Sequence, residues 1–392
     1  MSAAPGLRLY NTASSQAEPI DLTKPVRVYV CGVTPYDTTH LGHAFTYVSF
    51  DLLVRYLRFL GAEVNYVQNV TDIDDDILIR SARVGKSWRQ LGDDESQKFI
   101  EDMGRLNWQQ PTIVRATDYI PEMVGIVQRL CADGYAYESN GSVYFDVKQA
   151  PQFGRRLNDF TYESALALAN ERGNFPEDPN KRDPLDFILW QAAKEGEPTW
   201  ESPWGLGRPG WHIECSAMSS TCLGLPVTVH GGGDDLRFPH HEAEICQSEC
   251  STDWKFVEHW MHTAMVHSER QKMSKSLGNM VFVRDLLREY SPDVIRLHLL
   301  SHHYRDPWNY AEDELRLQLR PAERLKERLG DAKDGISRED AIERGADLLA
   351  ALAADLDSPA AIGRLHELAD GDAAARAVAR VLATDVLGLR LE

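Results

Sequence analysis

No two cysteines in this sequence have Cys-x-x-Cys spacing, and no run of eighteen apolar residues occurs anywhere in its 392 positions. The second absence excludes a helical membrane span of ordinary length. A charged segment followed by an apolar one is also missing from Met1 to Tyr10, so an export signal is not expected, nor a disulfide framework. The expected location is the cytoplasm. The six cysteines (Cys31, Cys131, Cys215, Cys222, Cys246, Cys250) are left for metal binding, catalysis or burial. Basic residues are scarce: 42 Lys and Arg stand against 60 Asp and Glu, a net charge of −18. That excludes a general nucleic-acid binder, though not a local basic groove. There is no internal repeat. What is present, 43% hydrophobic and 26% charged residues, suits a soluble globular protein of two or three domains, or one large interrupted domain.

Residues 26–32, Val-Arg-Val-Tyr-Val-Cys-Gly, read as a buried strand stopped by Gly32. Leu41 to Leu60 carries Phe50, Leu53, Val54, Leu57 and Leu60 at helical spacing, and Glu63 to Val67 reads as the next strand. Strand, helix, strand over so short a stretch is a βαβ unit, hence a parallel sheet. Helix is expected over 118–137, then a hairpin at Asn140-Gly141 and a turn-rich stretch. The pattern resumes with a strand from Val227, a helix over 240–250 and a strand over 261–267; helices follow from Pro292. The expected organisation is a discontinuous Rossmann-like α/β catalytic domain (1–137 and 207–290), an insertion (138–206) and a helical C-terminal region (291–392).

His40-Leu-Gly-His43 sits where the first helix begins. Its backbone N–H groups suit phosphate oxygens, Gly42 permits close approach, and the two imidazoles are potential donors. Lys272-Met-Ser-Lys-Ser276 lies in a later loop, where Lys272 and Lys275, with Ser274 and Ser276, would clamp a triphosphate. Gly231, Gly232 and Gly233 follow a strand, and Asp235 is placed to hold a ribose hydroxyl. His240 and Glu244 are four apart, on one face of a helix; with Cys31 and Cys215 they make an acceptable zinc set, soft sulfur favouring zinc over magnesium. The plainer reading of each motif, a cap, a polar turn or a buried thiol, loses ground because the two phosphate motifs occur together and in order.

These residues resemble the class I cysteinyl-tRNA synthetase family from about Leu7 to Tyr310. The resemblance is carried by Tyr29–Asp37, His40–His43, Asn69–Asp75, Gly210–Met218, His230–Glu242 and Lys272–Asn279. It implies a class I synthetase fold, one zinc ion on Cys31, Cys215, His240 and Glu244, and a substrate thiolate joining the metal. It also implies an amino-acid pocket including Thr34, Thr71 and Trp211, and ATP with Mg²⁺ held by His40, His43, Gly231, Asp235 and Lys275. The reaction implied is in-line attack of the L-cysteine carboxylate on the α-phosphate, with loss of pyrophosphate.

For the acyl acceptor the expectation is a small amino sugar. Only 116 residues follow Ser276, too few for an anticodon-reading domain, and residues 311–392 hold 12 Lys and Arg against 18 Asp and Glu, a net of −6. Residues 34–44, 67–72, 279–283 and 355–359 look like a shortened branch, the cysteine ligases of mycothiol biosynthesis, which acylate the amine of glucosaminyl-inositol. Glu244 and the run His267 to Lys272 depart from that branch, and the alternative acceptor is tRNA. A second alternative is a paralogue that binds cysteine or adenylate without turnover, and monomer is the default state.

Overall fold

Val26–Val33 (β1) turns alternate side chains to opposite faces, as a strand must. Val26, Val28 and Val30 enter one apolar core; Tyr29 and Cys31 enter another. In this computed structural model, which describes residues 6–36, 39–268, 279–330 and 335–392 with the backbone of 271–272, β1 is the middle of a five-stranded sheet. Its partners are Val64–Val70 (β2), Thr112–Arg115 (β3), Val227–Gly233 (β4) and Val257–Thr263 (β5). The order is β5-β4-β1-β2-β3, and every pairing is parallel. The strand order reverses between β1 and β4, the place in an open α/β sheet where ligands enter beyond the carboxyl ends of the strands.

Leu41–Phe59 (α1) connects β1 to β2 and is buried over most of its circumference. Its first turn therefore opens at the reversal point. Two expected elements shift. The helix expected over 118–137 occupies Ile120–Ala132, and a strand begins at Ala136. The strand expected over 261–267 starts earlier, at Val257, and stops at Thr263, because Ala264 gives its N–H to the carbonyl of Tyr304 instead of to the sheet.

The insertion folds as its own antiparallel sheet, Ala136–Ser139, Ser142–Phe145, Phe187–Ala192 and Gly207–Pro209 in that order. Of its outer strands, Ala136–Ser139 straddles the expected limit of 138 and Gly207–Pro209 lies just beyond that of 206. The first hairpin turns at Asn140 and Gly141, both with positive φ (50° and 79°), as a two-residue turn between right-twisted strands requires. The insertion is tied to the core by Glu242, whose buried carboxylate accepts the backbone N–H groups of Gly154 (3.0 Å), Arg156 (3.0 Å) and Leu157 (2.7 Å). Glu242→Ala would leave these donors without an acceptor. We expect it to lower stability by about 3 kcal/mol, read as a shift in urea midpoint at constant slope.

From Pro292 the chain is mainly helical. Arg296, fully buried, joins this region to α1 through Asp51 and to the last residues through the carbonyl of Leu387.

Candidate functional site

Cys31 ends its apolar run on the face of the sheet opposite α1. Trp211–Leu223 (α2) and Glu242–Thr252 (α3) pack together on that face. The four residues picked out from spacing converge there. Cys31 Sγ lies 3.6 Å from Cys215 Sγ and 3.6 Å from Glu244 Oε1, and His240 Nε2 lies 3.2 Å from the same oxygen. All four are buried, and their ligand atoms lie within 4.8 Å of one another. With zinc bonds of about 2.3 Å to sulfur and about 2.0–2.2 Å to nitrogen or oxygen, a tetrahedron has edges of about 3.3–3.8 Å, so the donors stand at coordination spacing. The sulfurs are too far apart for a disulfide.

The protonation state tells the same story. Burial, with the neighbouring Cys215 and Glu244, pushes the Cys31 thiol well up, and burial beside Cys215 pushes the Glu244 carboxyl well up. Burial holds His240 well below its ordinary value. Glu244 Oε2 meets no hydrogen-bond donor, although His230 Nε2 lies 3.3 Å away. In a metal-free cluster burial therefore favours the uncharged forms of Cys31, Glu244 and His240. A dication would reverse that logic, taking the deprotonated ligands and releasing protons.

Sequence reasoning missed a second set at the same place. Cys31, His230, His241 and Glu244 also bring one ligand atom each within 4.8 Å. Burial pushes His230 down to about 3, and burial with neighbouring imidazoles lowers His241. His241 Nδ1 meets His262 Nε2 at 2.7 Å, and His212 Nδ1 meets His240 Nδ1 at 2.9 Å. The signal was there: His230 opens the triglycine run and His241 doubles His240. Only the fold puts them on one side of the sheet.

Above the cluster lies a cleft of about 1290 Å³ lined by Thr34, His40, His43, Trp211 and Asp235. The Trp211 ring stacks on His240 at 4.3 Å, so the cleft floor and the cluster are continuous. His40 caps α1: its Nδ1 accepts the His43 N–H at 3.2 Å, and the two rings stack at 3.6 Å. Gly42 lies in that first turn, packed beside the His40 ring. Asp74 also lines the cleft; it caps the helix Asp75–Val84, and burial pushes its carboxyl up to about 6. Thr71 is buried at the end of β2, where Asn69 Nδ2 donates to its hydroxyl at 3.2 Å. Gly231 and Gly232 are buried in β4, with Gly233 closing the strand. A β-carbon at Gly231 would sit 1.7 Å from the Met261 carbonyl oxygen, so glycine there is required by the approach of β5. Lys272 is described as backbone only, pairing with His267 in a short strand; Ser274, Lys275 and Ser276 lie outside the described residues.

Residues 17–320 match the family of tRNA synthetases class I (C) catalytic domain. A cysteine--tRNA ligase from a Shewanella species is 45% identical over 399 residues, covering 98% of this chain and 86% of that protein. One from Halorhodospira halophila is 44% identical over 391 residues, covering 96% and 83%. In fold, the chain is similar to methionyl-tRNA synthetase of Mycobacterium tuberculosis bound to methionyl-adenylate, with TM-score 0.66, 16% identity and coverage of 93% and 92%.

These relatives correct the expected acceptor. The amino-sugar reading rested on four short segments and an acidic tail, yet nearly the whole chain, tail included, aligns with cysteine--tRNA ligases. Net charge is an average and does not speak for a surface.

Proposed function

We propose that this chain, which belongs to the class I cysteinyl-tRNA synthetase family, uses ATP to join L-cysteine to tRNA. As a family member it is a ligase that activates an amino acid with ATP. The reading of cysteine as the amino acid and tRNA as the acceptor is supported most strongly by the 45% identity to cysteine--tRNA ligases. The cleft adds support: helix-start imidazoles stand on one wall, and a thiol-rich cluster that fits zinc lies beneath Trp211.

In this reading His40 and His43, at the start of α1, hold the phosphates of ATP with its Mg²⁺, together with Lys272 and Lys275. Asp235 orients the ribose, with Gly231–Gly233 carrying the chain past it. Thr34, Thr71 and Trp211 position cysteine. Its carboxylate attacks the α-phosphate in line, the bond to pyrophosphate breaks, and a tRNA ribose hydroxyl then takes the acyl group from the adenylate, releasing AMP. Positioning and charge stabilisation supply the rate, with no side-chain nucleophile. Cys31, Cys215, His240 and Glu244 would hold zinc, which supplies an affinity for sulfur that a hydroxyl does not match. We assign 1–137 and 207–290 to the catalytic unit, 138–206 to the insertion, 291–392 to the helical region, and the cytoplasm as its location; no described helix is long and apolar enough to cross a membrane.

The test is exchange of labelled pyrophosphate into ATP. Exchange should depend on cysteine and run at least about 100-fold slower with serine, because a site built for one polar group discriminates strongly against its analogue. Equal exchange with serine, or none with cysteine, would overturn the reading.

A further inference from the structure

The segment Asp234–His241 joins β4 to α3 and contains both Asp235, in the cleft, and His240, in the metal cluster. It is not one helix. A short turn over Asp234–Leu236 gives way at Phe238, whose backbone is extended (φ −139°, ψ 136°), before the chain coils again into α3. A break of this kind leaves carbonyls without helical N–H partners. Arg172, the residue that ends the insertion's helix Tyr162–Glu171, answers both: its Nη1 donates to the carbonyl of Asp235 and to the carbonyl of Phe238.

The insertion grips the same segment at other points. Phe238 packs against Phe153 and Phe160 (5.2 and 5.3 Å between centroids), Arg237 donates to the Leu157 carbonyl, and Glu242 holds the loop from Gly154 to Leu157. These contacts lie just before the break, at its apolar side chain or beyond it. The Arg172 guanidinium spans the break itself, between the nucleotide-facing and metal-facing halves. Arg172 is also at the cleft surface, so its removal opens no hole in a core.

We propose that Arg172 is a positioning residue through which the insertion sets Asp235 and His240 relative to each other, coupling the nucleotide and metal subsites. This rests on the reading of Asp235 as the ribose carboxylate and His240 as a metal ligand. Arg172 bonds neither the Asp235 carboxylate nor the His240 ring; it acts through two backbone carbonyls, and whatever shifts the insertion shifts both subsites together.

The experiment measures ATP binding by titration calorimetry and zinc release to a colorimetric chelator, on wild type, Arg172→Ala and Arg172→Lys. For Arg172→Ala the expected results are an ATP Kd raised about tenfold and zinc release quickened about tenfold, with the melting temperature unchanged. Arg172→Lys, able to reach one carbonyl at a time, should fall between. Wild-type affinity and release in Arg172→Ala would overturn the proposal, as would changes that merely follow a lowered melting temperature. A wild-type protein that takes up neither ATP nor zinc would overturn it together with the functional reading. Wild-type binding left unaltered by the substitution would sink the role of Arg172 alone.

Discussion

Cys215→Ser is expected to abolish zinc retention and, with it, cysteine-dependent exchange. The substituted hydroxyl is a hard, weakly acidic donor where the cluster presents sulfur, and it cannot give the anion a cation requires. The neighbours offer no relief. Cys31 lies 3.6 Å away with its thiol already pushed up by burial, and burial likewise pushes the Glu244 carboxyl up. Altering groups that merely orient ligands costs about 10–100-fold in metal affinity, so loss of a ligand should exceed that. The measurement is metal content by emission spectroscopy beside exchange rate: metal near zero with exchange down more than about 100-fold. Full zinc content in Cys215→Ser, with exchange intact, would remove Cys215 from the ligand set and favour the alternative set of Cys31, His230, His241 and Glu244.

The second large effect falls on stability. Asp51 is fully buried in α1; it accepts Arg55 Nε at 2.8 Å, the Gln109 N–H at 2.8 Å and an Nη of Arg296. Arg296 also reaches the carbonyls of Leu106 (2.9 Å) and Leu387, and burial lowers its pKa despite Asp51. Asp51→Ala would strand two buried guanidinium groups without their counter-charge. The expected loss is about 3–5 kcal/mol, seen as a lower urea midpoint, because breaking one member of a buried ionic set leaves the remainder uncompensated. Adding Arg296→Met to Asp51→Ala should recover part of the loss, since it removes one stranded charge and keeps the volume apolar. A shift below about 1 kcal/mol for Asp51→Ala, the level of an exposed pair, would contradict the network's role.

Local signals explain which parts of this molecule were readable. The run of β-branched residues before Gly32, the apolar spacing of Leu41–Phe59 and the Asn140-Gly141 turn each carry their cause within a few residues, and each stands where expected. β3 is only four residues long, so its two pairs of alternating positions make no periodic pattern. The cluster of Cys31, Cys215, His240 and Glu244 was reachable because His240 and Glu244 share a helical face and the cysteines sit in distinctive motifs. His230 and His241 were not, since their approach to Cys31 depends on strand β4 lying beside β1. Arg172 had no sequence signal; its partners are two backbone carbonyls more than sixty residues away. The acceptor was misread because a summed tail charge is an average over residues and carries no information about what a surface binds.

The central claim is transfer of cysteine to tRNA. Purified protein with ATP, zinc, radiolabelled cysteine and total tRNA should place label in acid-precipitable material that ribonuclease releases, dependent on ATP and absent with Cys215→Ser. Pyrophosphate exchange that responds to cysteine while no label reaches tRNA would contradict it, leaving the chain a cysteine-activating enzyme with a different acceptor.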